Sequence, residues 1–268
     1  MERVTTGVKG FDALVEGGFP RGSTVLVTGS PGTGKTIFGL HFLCDGAAKG
    51  ETGIYVVVDS GQGLGLSLLK QQAEQLGLPV GKYEQEGKIK FMTVPLESRK
   101  FGLFEDLKEL KKSVNAQRVV FDSITTFITN LDLFSIPVGF AGEVASSIEG
   151  TAANAQQAVD LGGKVAYQSD PQKRLVYLAI EMLRGIGTTN MVVSYGNSSE
   201  EGETIASDGV SDFACDGIVA FYNNLIGAKH IRTLSVIKMR DTKQSPYIHN
   251  FDITEQGIVV QPAEQVYK

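Results

Sequence analysis

Residues 24–40 read Thr24-Val25-Leu26-Val27-Thr28-Gly29-Ser30-Pro31-Gly32-Thr33-Gly34-Lys35-Thr36-Ile37-Phe38-Gly39-Leu40. A β-branched run, a glycine-rich loop and an apolar helical pattern follow one another directly. The run 24–28 predicts a strand buried on both faces. Gly29 to Thr36 fit G-x-x-x-x-G-K-[ST], the phosphate-binding loop of nucleoside triphosphatases. A triphosphate needs backbone N–H groups pointed inward, and glycines let the chain curl around it without Cβ clashes. A helix over about 35–49 presents its positive dipole end to the phosphates. The expected ATP-binding residues are Gly29, Ser30, Pro31, Gly32, Thr33, Gly34, Lys35, Thr36 and Ile37. Lys35 would reach the β and γ phosphates, and the Thr36 hydroxyl would ligate Mg²⁺. ATP and Mg²⁺ are therefore the expected cofactors.

A second oxygen donor is needed for that cation. Asp122 ends the apolar run Val119-Val120-Phe121 and is followed by Ser123, the Walker B pattern, about 90 residues after the loop. An aspartate at a strand end is common at turns, and its weight comes from the phosphate loop upstream.

Outward from the loop, short β-branched runs alternate with helical patterns. Strands are predicted at 53–59, 88–94, 118–122 and 189–194. Helices fall between them at about 64–76, 103–114 and 174–186. This is the βαβ pattern of an α/β fold with a twisted, mainly parallel sheet flanked by helices. Runs at 217–222, 231–239 and 257–260 are separated by short turns, which predicts antiparallel strands added at the C-terminal edge. No linker rich in Pro, Ser or charge breaks the chain, so 1–268 reads as one domain. The stretch 131–173, rich in Ala, Gly, Ser and Gln, fits neither template and reads as an insertion.

Composition narrows the class. The chain has 268 residues, 25 basic and 30 acidic, for a net charge of −5. Apolar residues are 42% and charged residues 21%, globular values that exclude a disordered chain. Glycine is unusually frequent, at 32 residues, and follows no repeat. Cys44 and Cys215 lie far apart with no C-x-x-C, which argues against a disulfide scaffold and a cysteine zinc site. His41, His230 and His249 lack metal-ligand spacing, and His41 reads as a structural side chain on the loop's helix. Charges between Glu105 and Lys112 read as the solvated face of a helix. No apolar stretch approaches the roughly 20 residues of a membrane-spanning helix, and Met1 to Thr6 lacks the apolar core of a secretory signal. The expected location is cytoplasmic.

Three further stretches sharpen the reading. They are Thr5-Thr6-Gly7-Val8-Lys9-Gly10-Phe11-Asp12-Ala13-Leu14, Gly17-Gly18-Phe19-Pro20-Arg21-Gly22 and Lys238-Met239-Arg240-Asp241-Thr242. With the phosphate loop and Asp122, they resemble RecA-superfamily ATPases of the KaiC-like type, known in archaea as RadA paralogues. The resemblance covers about 1–125 and 188–260 and hardly touches 131–173. It implies a single KaiC-like domain with a RecA-like P-loop fold, usually assembled as a hexameric ring with ATP between subunits. By the same resemblance, Lys238 and Arg240 would reach the γ-phosphate of the neighbouring subunit, a cation supplied in trans offsetting charge on the transferred phosphoryl group. Ser194 stands where RecA-like folds sense that phosphate.

The chain departs from the family at the general base. Active members carry one or two glutamates after the strand that follows the loop's helix. Here Asp59 and Ser60 stand at those places. Aspartate is one methylene shorter, and a misplacement of about 1 Å costs around 100-fold in rate. Three outcomes are open: Asp59 still polarises the water, hydrolysis is very slow, or another carboxylate such as Glu143 or Glu149 substitutes. Slow hydrolysis is the expectation, with Asp59, Lys35, Lys238 and Arg240 as the catalytic set. The segment 209–216 offers no adjacent Ser-Thr pair, so autophosphorylation of the kind known in the clock protein KaiC is disfavoured.

The leading functional expectation is an oligomeric ATPase acting as a signalling or regulatory switch. The first alternative is a recombination accessory protein binding single-stranded DNA through the loops after Asp122 and Ser194. Between Asn130 and Asp170 the only basic residue is Lys164, which counts against strong phosphate neutralisation. The second is a non-hydrolysing ATP sensor that serves as a platform for a protein partner.

Overall fold

A computed structural model describes residues 1–59, 64–95, 102–129, 171–196, 206 and 210–261. The elements are β1 Arg3–Val4, β2 Phe19–Pro20, β3 Thr24–Gly29, α1 Lys35–Ala48, β4 Thr52–Asp59, α2 Leu64–Gln75, α3 Val80–Gln85, β5 Ile89–Pro95, α4 Leu103–Val114, β6 Ala116–Asp122, α5 Ile124–Thr129, α6 Pro171–Gly185, β7 Thr189–Tyr195, α7 Ser211–Ala214, β8 Gly217–Ile226, β9 Lys229–Met239, β10 Ile248–Thr254 and β11 Gly257–Val260. Among the described residues, nine strands form one sheet in the order β11-β10-β9-β8-β3-β7-β6-β4-β5. The insertion expected at 131–173 lies outside the described residues except where α6 begins.

The central strands read as unbroken apolar runs because both faces of the sheet are covered. Successive side chains alternate between two cores. Val25, Val27, Tyr55, Val57 and Val120 face the layer that holds α1. Leu26, Ile54, Val56, Val119 and Phe121 face the layer of α4, α5 and α6.

The predicted strand 217–222 is placed differently from expectation. β8 runs parallel to β3, with Val25 opposite Gly217, and the antiparallel order begins only at β9. β9, β10 and β11 then form the expected C-terminal edge. β10 was not foreseen, although Ile248-His249-Asn250-Phe251-Asp252-Ile253 alternates as a half-buried strand should, with His249 and Phe251 inside.

The Thr5–Leu14 opening forms a clasp. The Asp12 carboxylate accepts from the Thr6 amide at 2.9 Å and its hydroxyl at 2.7 Å. Val260 donates its N–H to the Lys9 carbonyl at 2.8 Å, which docks the opening on β11. Gly10, at φ +86°, passes so close to the Val260 carbonyl that a Cβ would collide with it. Among the described residues, no helix is long and apolar enough to cross a membrane.

Candidate functional site

The phosphate loop leaves the C-terminal end of β3, in the middle of the sheet, where parallel α/β sheets place their ligands. Gly29 turns the chain at φ +148°, and a Cβ there would strike the Phe221 carbonyl. Gly32 and Gly34 also take positive φ, and Gly34 caps α1. The Lys35 ammonium, largely buried, folds back to donate to the carbonyls of Gly29 at 2.7 Å and Ser30 at 2.9 Å. It also lies 5.3 Å from the centre of the Tyr195 ring. Burial pulls its pKa from the ordinary 10.5 down to about 8, against the opposing pull of Asp122.

β6 ends at Asp122, two strands from β3 across β7, and α1 spans that gap. The Thr36 hydroxyl donates to Asp122 Oδ2 at 2.7 Å, so the two expected cation ligands meet although 86 residues separate them. The same oxygen accepts from the hydroxyl of Tyr55 at 2.8 Å. Asp122 joins Ser123 through a cis peptide bond. Loop and carboxylate open on one cavity of about 590 Å³, lined also by Gln72, Leu76, Val193, Tyr195, Arg232 and Ile253. Ile37 lines it as well, from α1.

Other expected residues stand apart. Asp59 closes β4, and the β4–β6 register sets Val57 beside Asp122, so the Asp59 backbone reaches the same sheet edge. Its side chain, like Ser60, Glu143 and Glu149, lies outside the described set. Ser194 is fully buried, with its hydroxyl 3.1 Å from that of Thr125, while its neighbours Val193 and Tyr195 line the cavity.

Lys238 and Arg240 are not brought to the loop of their own chain. Lys238 pairs with Ile218, beside Leu26, about 10 Å short of Gly29 along the strand direction. Its ammonium donates to the carbonyls of Cys215 at 2.7 Å and Asp212 at 3.3 Å. Arg240, half exposed, pairs with Asp216 at 3.0 Å at that same far end of the sheet.

Sequence reading missed Tyr55, Gln72, Tyr195, Arg232 and Ile253. Tyr55 and Ile253 sit in runs whose alternation predicts packing, and nothing local marks them as neighbours of a phosphate loop. Arg232, on β9, has no local signal either, and its Nε is buried with no hydrogen-bond partner among the described residues.

The comparisons agree with this architecture. The family model described as "ATPase: KaiC" matches residues 4–134 and 155–265. A UPF0273 protein of Aeropyrum pernix is 30% identical over 284 residues, covering 99% of this chain and 96% of its own length. A UPF0273 protein of Thermotoga maritima is 29% identical, with 98% of each chain covered. A crystal structure of a KaiC-like protein from Pyrococcus horikoshii superposes with a TM-score of 0.73 at 27% identity, covering 97% of this chain and 99% of that one. The fold and site define a RecA-like nucleotide-binding ATPase domain. The chain belongs to the KaiC ATPase family.

Proposed function

We propose that this chain binds ATP with Mg²⁺ at the Gly29–Thr36 loop, hydrolyses it slowly, and serves as a switch in a ring whose nucleotide lies between subunits. The observation that carries the reading is the contact between Thr36 and Asp122 in the lining of the loop's cavity. Backbone N–H groups at the start of α1 hold the phosphates, and the Lys35 cation turns from the loop carbonyls to the β and γ oxygens. A hydroxyl and a carboxylate are hard oxygen donors, too few to cage a cation alone but suited to one that arrives with phosphates. Mg²⁺, when bound, would offset charge on the phosphate oxygens. Asp59 polarises the attacking water from the end of β4, with reduced reach. Lys238 and Arg240 serve the neighbouring subunit's nucleotide, which agrees with their distance from their own loop.

The test is phosphate release from ATP with Mg²⁺, for the wild type beside Lys35→Ala, Asp59→Ala and Arg240→Ala. Turnover that falls in all three variants supports an intersubunit ATPase with Asp59 as base. Loss in Lys35→Ala alone moves the base elsewhere and removes Arg240 as the cation supplied in trans. A second reading, a non-hydrolysing sensor that presents a protein surface, is favoured by Asp59-Ser60 in place of glutamates. Stable ATP occupancy without phosphate release would establish it. Most of the loops on which the single-stranded DNA alternative depends lie outside the described residues, and salt-dependent retention of an oligonucleotide is its test.

A further inference from the structure

Asp122 is held by more than the phosphate-loop threonine. Its Oδ2 accepts two hydrogen bonds, from Thr36 at 2.7 Å and from the Tyr55 hydroxyl at 2.8 Å. No described residue donates to Oδ1. Tyr55 lies in the interior of β4, completely buried, with its ring 5.9 Å from that of Phe91. The helix above makes room for it. A Cβ on Gly39 of α1 would sit 2.9 Å from Val120 Cγ1 and 3.6 Å from the Tyr55 hydroxyl oxygen. Glycine inside a helix costs backbone entropy and has its use where another group approaches closely, as a core side chain and the tyrosine do here.

We infer that Tyr55 is a positioning residue for the cation site, pinning the Asp122 carboxylate by one oxygen so that the other is free for Mg²⁺ or its bound water. This rests on the reading of Thr36 and Asp122 as the Mg²⁺ corner. A carboxylate fixed by two donors on one oxygen has lost most of its rotational freedom before the cation arrives. Outer partners of this kind commonly contribute about 10- to 100-fold in metal affinity.

The experiment is a titration of a fluorescent ATP analogue against wild type and Tyr55→Phe, across Mg²⁺ concentrations and again in EDTA. The phenyl ring keeps the packing, and a thermal melt verifies it. The expected result is an Mg²⁺ half-saturation raised about tenfold in Tyr55→Phe, with nucleotide affinity in EDTA unchanged. A purely structural tyrosine would weaken binding equally with and without Mg²⁺, and that result overturns the inference. So does an unaltered Mg²⁺ half-saturation beside a wild type that responds normally. If Mg²⁺ does not tighten nucleotide binding by the wild type at all, the corner itself is misassigned and the tyrosine's role falls with it.

Discussion

Burial lowers the Lys35 pKa from 10.5 to about 8, and two measurable consequences of opposite sign follow. Between those values the unfolded chain holds a proton on this lysine that the folded chain has released. Folding stability from Lys35 therefore rises with pH across that window. In the function proposed above, however, the phosphates need the charged form, so nucleotide affinity should weaken as pH passes about 8. Titrations of labelled ATP at pH 7 and pH 9 should show the loss. Lys35→Met should abolish the pH dependence along with most of the affinity. Equal affinity at the two pH values in the wild type would contradict a desolvated lysine.

α1 is fastened at both edges by polar groups that the hydrophobic pattern hides. His41 accepts the Ile258 N–H at 2.9 Å, tying α1 to β11. Desolvation pulls the His41 pKa from 6.5 to about 4, so it stays a neutral acceptor. A depressed histidine contributes stability that is present above pH 6.5 and lost as pH falls towards 4. Acid unfolding of His41→Gln should accordingly be flatter than wild type across that window. At the other edge Arg118, buried at the start of β6, donates to the carbonyls of Thr5 and Phe42 and pairs with Glu51 and Asp45. It joins the opening clasp, α1 and β6 in one cluster, and Gly46 leaves space for the guanidinium. Removing one partner of a buried ionic cluster strands the others and costs about 3–5 kcal/mol. Urea unfolding of Arg118→Leu should show a loss of that order, partly recovered in the double variant with Glu51→Gln.

For the molecule as a whole, the separation of the two cation sets matters most. In the function proposed above Lys35 acts at the C-terminal ends of the strands, whereas Lys238 and Arg240 lie near the N-terminal end of β3, held by backbone carbonyls and by Asp216. One chain cannot join them, but a head-to-tail contact between copies can, and such contacts form a ring where the rotation between copies closes. Mixing equal amounts of Lys35→Ala and Arg240→Ala subunits should then restore phosphate release. About a quarter of head-to-tail interfaces would pair an intact loop with an intact arginine. Recovery limited to the sum of the two inactive variants would exclude the trans arrangement.

Much of this was legible in the chain itself. The α/β class, the strand–loop–helix at 24–49, the C-terminal antiparallel edge and the candidates Lys35, Thr36 and Asp122 follow from local pattern, because periodicity and a phosphate loop's backbone demands are written within a few residues. The element bounds agree closely, and α4 falls at 103–114 as expected. Strand order, and with it the parallel placement of β8, is a property of pairing between distant segments, and no local rule specifies it. The same holds for Tyr55, an ordinary core tyrosine by its neighbours in sequence. It reaches the Asp122 carboxylate only because β4 lies beside β6 and Gly39 lets α1 descend on both. Residue chemistry and secondary structure were determined by the sequence read locally. Which polar groups share one carboxylate oxygen was decided by tertiary packing, since burial and hydrogen-bond geometry arise only once the strands are side by side.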